Sequence, residues 1–336
     1  MKAGINMGVY TCNTSMKNEA FFSSDGDIMI VPQLGKLSIM TEFGHIEAES
    51  WEVVVIPRGI KFAVEVTEDC RGYYCELYDG HLQIPDLGPI GTNGNANPRD
   101  FAIPKAKYFD ETNEYRVIQK YLGKFFEYTI PHNIFDIVAW HGNYYPYKYD
   151  CHHFNTMGSI SYDHPDPSVF TVLTCQTPDH GQAALDFAIF PPRWLSMEDT
   201  FRPPYFHRNT MNEFMGNVAG QYDAKEEGFS PGAVSLHSCM SAHGPEAEVV
   251  EKASTCELKP QKVGEGCLAF MFETCYTMKV TKSFMHDLEG ATDSYSVNSH
   301  KAVDESYHDC WKGMKRLFDP NDPDAGYKKY LSEHKN

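Results

Sequence analysis

The sequence predicts a mainly β protein, an antiparallel sandwich or jelly-roll with a few helices added. Three observations carry that expectation. Between Ser24 and Val66 the runs DIMIVPQLG, KLSIMTEFG, EVVVIPRG and IKFAVEV are β-rich and punctuated by Gly and Pro. The same pattern returns from Ser168 to Leu173, Ala183 to Phe190 and Cys267 to Phe272. A helical stripe is visible over Asp304 to Phe318, with Tyr307, Cys310, Trp311, Met314 and Phe318 on one face. Short strands at such spacing fit closed or double-sheet β architectures better than a βαβ fold.

Taken in order, the first four runs give the strands of an N-terminal β unit. Its segment Trp51 to Gly59 resembles the second half of a cupin motif, and Phe62 stands where a metal-binding histidine is expected there. That barrel is therefore expected to hold no metal. Leu82 to Pro104 is dense in Gly, Pro and Asn and reads as a chain of turns. Asn113 to Tyr128 mixes helix and strand signals. Ile134 to Trp140 reads as a buried strand running into the aromatic loop His141 to Tyr149, a packed corner or a subunit contact. Thr174 to Gln182 reads as a loop between strands, and Pro191 to Trp194 as a turn. Cys267 to Phe272 and Tyr276 to Val280 read as closing strands.

Composition narrows the function. The 336 residues are 42% hydrophobic and 22% charged, enough for a sizeable core. A formal net charge of −17 disfavours nucleic acid and anionic membrane as partners. No apolar run is long enough to span a bilayer and no leader is visible, so a cytoplasmic location is expected. The ten cysteines form no C-x-x-C pair, which fits reduced thiols and opposes a disulfide framework or zinc ribbon. Walker A, G-x-G-x-x-G, G-x-S-x-G and H-E-x-x-H motifs are all absent.

The stretch from Phe201 to Glu246 concentrates metal-type donors among turn residues. His207, Glu213 and His243 supply two imidazoles and a carboxylate, the donor set of a non-haem Fe(II) facial triad. Six residues separate His207 from Glu213, too many for one helical face, so a turn has to bring them together. The same set suits a zinc hydrolase, and each histidine taken singly also fits a loop cap. A general base near the metal points to histidine, with His164, His237 and His141 as candidates. His164 lies in YDHPDPS, where flanking carboxylates can orient its ring or where it is simply a turn residue. Tyr222 offers a phenol to a substrate carboxylate, or is an interior tyrosine.

The runs AWHGNYYPYKYD, GPIGTNGNANPRDF, IFPPRW, FRPPYFHRNTMNEFMG, SLHSCMSAHGPE and AFMFET resemble the homogentisate 1,2-dioxygenase family across nearly the whole chain. The resemblance implies a cupin-like N-terminal β domain over 1–150, an iron-binding catalytic domain over 151–320 and a polar tail over 321–336. It implies Fe(II) held by His207, Glu213 and His243, with His164 as acid/base. Tyr222, His237 and His243 become substrate contacts. Homogentisate and O2 are the implied small-molecule substrates, yielding maleylacetoacetate, and a homo-oligomer, trimer or hexamer, is the implied assembly. Family chains usually begin upstream of Met1, so the first strands of the N-terminal domain are expected to be missing. An impaired isoform serving only as an oligomer subunit is the corresponding alternative.

Overall fold

The computed structural model describes residues 3–86, 95–107, 109–136, 144–156, 167–179, 181–195, 207–223, 229–241, 243–244, 252, 255–257 and 259–282. The first part of the chain forms β1 (Ile5–Cys12), β2 (Glu19–Ser23), β3 (Asp27–Leu34), β4 (Leu37–Thr41), β5 (Gly44–Ala48), β6 (Glu52–Ile56), β7 (Phe62–Glu65) and β8 (Cys70–Leu77). It continues with β9 (Phe101–Ala102), β10 (Tyr115–Tyr121), β11 (Lys124–Ile130) and β12 (Tyr147–Asp150). The second part forms β13 (Thr171–Gln176), β14 (Ala183–Phe190), β15 (Arg193–Leu195), β16 (Asn212–Ala219), β17 (Val234–His237), β18 (Gln261–Val263) and β19 (Leu268–Thr274).

Apart from β15 and β18, which pair with each other, these strands build three stacked layers. The outer layer has the order β11-β10-β2-β7-β4-β5, the middle layer β1-β8-β3-β6-β12-β9, and the far layer β13-β14-β19-β16-β17. The central strands of the middle layer, β3 and β6, are buried on both faces, and the alternation of side chains says how. Ile30, Val54 and Ile56 pack with Leu37, Ile39 and Phe62 of the outer layer. Their neighbours Met29, Val31, Val53 and Val55 pack with Leu185, Phe187, Phe214, Phe270 and Phe272 of the far layer. A strand with two buried faces has no polar side, which is why Val53 to Ile56 reads as an unbroken apolar run. Each of the fully buried rings Tyr73, Tyr149, Phe187, Phe270 and Phe272 contributes on the order of 2 kcal/mol through burial.

The mainly β prediction holds, and several local expectations are corrected. Asn113 to Tyr128 is the β10–β11 hairpin, turned at Leu122 and Gly123, both with positive φ. The buried carboxylate of Asp25 accepts both turn amides, at 2.6 and 2.8 Å, which steadies a conformation costly for leucine. Ile134 to Asp136 is a turn rather than a strand, since its backbone finds no partner strand; 137–143 lies outside the described residues. Tyr147 to Tyr149, read as loop, pairs with β6 as part of β12. Thr174 to Gln176 extends β13, because pairing with β14 and with Gln83 satisfies its backbone. Arg193 and Trp194, read as turn, belong to β15. Tyr276 to Val280 has strand-like residues but pairs with no strand among the described residues, and is irregular. Short 3₁₀ turns stand at Pro98–Asp100, Cys151–His153 and Pro167–Phe170. The stripe over Asp304 to Phe318 lies outside the described residues.

Candidate metal centre

The far layer sorts its residues by face. Phe187, Phe214, Phe270 and Phe272 point into the core shared with the middle layer. Met215, Ala188, Ala269 and Met271 lie in a separate apolar cluster, with Phe170, Phe229 and Tyr222. Register places Thr174 opposite Asp186, Asp186 opposite Glu273, Glu273 opposite Glu213 and Glu213 opposite His237. Directly paired residues share a face, so these five side chains form one polar row crossing the whole sheet.

Glu213 is the second residue of β16 and is buried. His207 and His243 reach it from two loop segments that pair across a single antiparallel bridge, with amide–carbonyl distances of 3.0 and 3.1 Å. Their rings stand 4.4 Å apart, centre to centre. Ligand atoms of His207, Glu213 and His243 all lie within 4.8 Å of one another. The turn that the six-residue spacing demands is Asn209 to Met211, where the Met211 amide donates to the Asn209 side-chain oxygen at 2.9 Å. His243 does not sit on a returning strand; its bridge to His207 holds it instead.

The geometry leaves a place for either a proton or a cation. His243 Nδ1–H donates to the Ser241 carbonyl at 2.9 Å, leaving Nε2 only 3.1 Å from Glu213 Oε2. An imidazole lone pair and a carboxylate oxygen at that distance need a proton or a metal between them. His237 Nδ1 lies 3.2 Å from the same oxygen and its ring stacks on His243 at 4.4 Å. Burial alone raises the Glu213 carboxyl, but hydrogen bonds from His237, His243 and Asn209 outweigh it and hold it far below the usual range. Burial lowers His243, and the Glu213 carboxylate more than offsets that, so its ring stays protonated to higher pH than usual. Two imidazoles and one ionised carboxylate suit a divalent cation of the Fe or Zn kind.

Two carboxyls of the row behave differently. Burial, then the nearby charges of Glu213 and Asp186, push the Glu273 carboxyl up to about 7. Burial also raises Asp186, which accepts the Thr174 hydroxyl. Sequence reading missed Asn209, Asp186 and Glu273, because only strand register brings them beside Glu213.

Tyr222 packs against Phe190 and Phe229 at 5.8 and 5.9 Å, and burial keeps its phenol protonated well beyond neutral pH. Arg193 stands in the same surroundings, paired with Asp223 at 2.8 Å and lying over the Phe170 ring. His164 and His141 lie outside the described residues. His152 is exposed but engaged, bonded to Asp150 and stacked on Trp51 at 4.3 Å.

Layers and site together define a mainly β protein whose last sheet carries a two-histidine, one-glutamate set able to bind a metal ion. By family models, the chain belongs to the homogentisate 1,2-dioxygenase family. The N-terminal model matches residues 1–151 and the C-terminal model residues 152–318. Among solved structures, it is similar to YlbA of Escherichia coli at 8% identity, over 83% of this chain and 80% of that one, with a TM-score of 0.32. A putative glyoxylate-induced protein of Pseudomonas aeruginosa matches at 9% identity over 83% and 78% of the two chains, with a TM-score of 0.31. A cupin-2 domain protein of Shewanella frigidimarina matches at 19% identity over 22% and 70%, with a TM-score of 0.20.

Proposed function

We propose that this chain is an Fe(II)-dependent dioxygenase that opens the ring of homogentisate with O2 to give maleylacetoacetate, a step in the breakdown of tyrosine and phenylalanine. The observation that carries the reading is the gathering of His207, Glu213 and His243 around one point in a chain of this family. These three residues are assigned as the iron ligands. Three protein ligands leave open positions for a phenolate and O2. When bound, Fe(II) supplies the redox chemistry that joins O2 to the ring.

The chain's own residues orient the substrate and manage its protons. Tyr222, with its phenol kept protonated, donates to the acetate group of homogentisate. His164 takes the phenolic proton as the substrate oxygen enters, and His237 lines the pocket beside Glu213. The division into 1–150, 151–320 and 321–336, the cytoplasmic location and a homo-oligomeric state belong to the same reading. The free thiols among the described cysteines support a reducing compartment. Exposed Phe125, Phe126 and Tyr128 on the edge strand β11 support contact between copies, and a monomeric sedimentation coefficient would remove that part. Among the described residues no helix is long and apolar enough to cross a membrane.

The test is oxygen consumption by Fe(II)-loaded protein given homogentisate, followed by the absorbance of the product. Stoichiometric uptake is expected, with His207→Ala and Glu213→Ala losing iron and turnover together. His164→Ala is expected to keep iron and lose about two to four powers of ten in rate. Iron-replete protein that takes up no oxygen would sink the reading.

A further inference from the structure

Glu213 faces Glu273 directly across β16 and β19. Two carboxyls in that relation repel when both are ionised, and neither then has a reason to hold one orientation. One side chain resolves this. The Asn209 amide nitrogen donates to Glu213 Oε1 at 3.0 Å and also to Glu273 Oε1. A primary amide has two N–H bonds, so it can serve both carboxyls at once.

The amide cannot be turned around. Its oxygen accepts the Met211 amide at 2.9 Å, which fixes the nitrogen on the carboxylate side. Its backbone carbonyl accepts the Met240 amide at 2.8 Å, tying the residue to the segment that leads to His243. Asn209 is therefore held at three points: its amide nitrogen, its amide oxygen and its backbone carbonyl.

The consequence falls on Glu213. With Oε1 engaged by Asn209, the oxygen left towards the histidines is Oε2, 3.1 Å from His243 Nε2 and 3.2 Å from His237 Nδ1. We propose that Asn209 is the positioning residue of the metal centre: by forking between Glu213 and Glu273 it restricts Glu213 to one ligand oxygen and so keeps coordination positions open. Hydrogen-bonding partners of ligating carboxylates commonly set metal affinity by about ten- to a hundredfold. The inference rests on metal binding by His207, Glu213 and His243, and not on the identity of the substrate.

Co(II) is the probe, because its visible absorption reports coordination number and its binding needs no substrate. Asn209→Ala is expected to weaken Co(II) binding by about ten- to a hundredfold and to change the visible band, with the folded state verified by near-UV circular dichroism. Glu273→Gln keeps an acceptor oxygen for the Asn209 amide and removes only the charge. It is expected to bind Co(II) with the wild-type band and within about threefold of wild-type affinity. Should Asn209→Ala fail to fold, Asn209→Ser, with one donor for two carboxyls, is measured the same way with the same expected change. A folded Asn209 variant with wild-type band and affinity overturns the proposal. So does a Glu273→Gln protein as disturbed as Asn209→Ala, since charge rather than the fork would then be the cause. Absent homogentisate turnover in wild type would leave this result standing and fall on the proposed reaction alone.

Discussion

The carboxyls of the polar row titrate in opposite directions, and that has a measurable effect on the metal-free protein. Glu213 is held below its ordinary range, so its contribution is present above the unfolded value and lost as pH falls through acid. Glu273 is held up, ionising at about 7 in the fold against about 4.5 in the unfolded chain. Between those values the native state keeps a proton that the unfolded state has released, so stability falls as pH rises from about 4.5 to about 7. The loss is at most about 3 kcal/mol. His243, with its raised value, adds to the decline at higher pH. Urea unfolding at pH 5 and pH 8 is expected to show the Glu273→Gln protein losing less stability than wild type. An equal loss in both would mean that Glu273 is not proton-coupled. At this scale the sequence was legible only in part. His207, Glu213 and His243 announced themselves by donor type and by turn residues around them. Asn209 and Glu273 are ordinary residues until register sets them beside Glu213.

At the level of the strand, β16 is the critical element, since it carries Glu213 near its start and the core at its centre. Gly216 sits there with the Phe270 ring closer than any side chain tolerates and Tyr73 Cε1 2.9 Å from where a Cβ would stand. Both rings are fully buried and have nowhere to go. Gly216→Ala is expected to destabilise by about 1–3 kcal/mol and to weaken metal binding by displacing the strand. Wild-type denaturant midpoint and metal affinity would refute it. Strand β16 also explains why sequence reading falters. NEFMGNVA is buried along nearly its whole length, so it lacks alternation, and its Gly and Asn argue against a strand. The opposite error occurs at Tyr276 to Val280, which has strand-forming residues but pairs with no strand among the described residues. Propensity locates strands where one face meets water, as in β4 with its regular alternation of burial. It fails where packing on both faces, or the lack of a partner, decides.

Across the whole molecule, the N-terminal layers and the sheet with the candidate metal centre share one hydrophobic cluster. Tyr73 of β8 adds a polar tie, its hydroxyl lying 2.8 Å from the Asn217 carbonyl and 3.0 Å from that of Ala233. Gln83 and Thr174 exchange backbone hydrogen bonds at 2.8 Å and join the two parts again. Such coupling predicts that metal binding stabilises the whole chain. At a free metal concentration one hundred times the dissociation constant, the gain is about 2.7 kcal/mol. It should appear as one transition moving intact, whether followed by tryptophan fluorescence or by circular dichroism. Two transitions with only one moving would show that the parts unfold separately.

The polar row has a bearing on how this chain can change over generations. Alternate residues of β19 face opposite ways: Phe270 and Phe272 towards the aromatic core, Met271 and Glu273 towards the candidate metal centre. One inserted residue within β19 or β16 would exchange those faces, putting a carboxyl among phenylalanines and a phenyl ring beside the candidate ligands. The same insertion in the Thr177 to Gln182 loop would leave every pair in register. Length variation is therefore expected to collect in the connections and to be excluded from these two strands, even at positions far from any ligand.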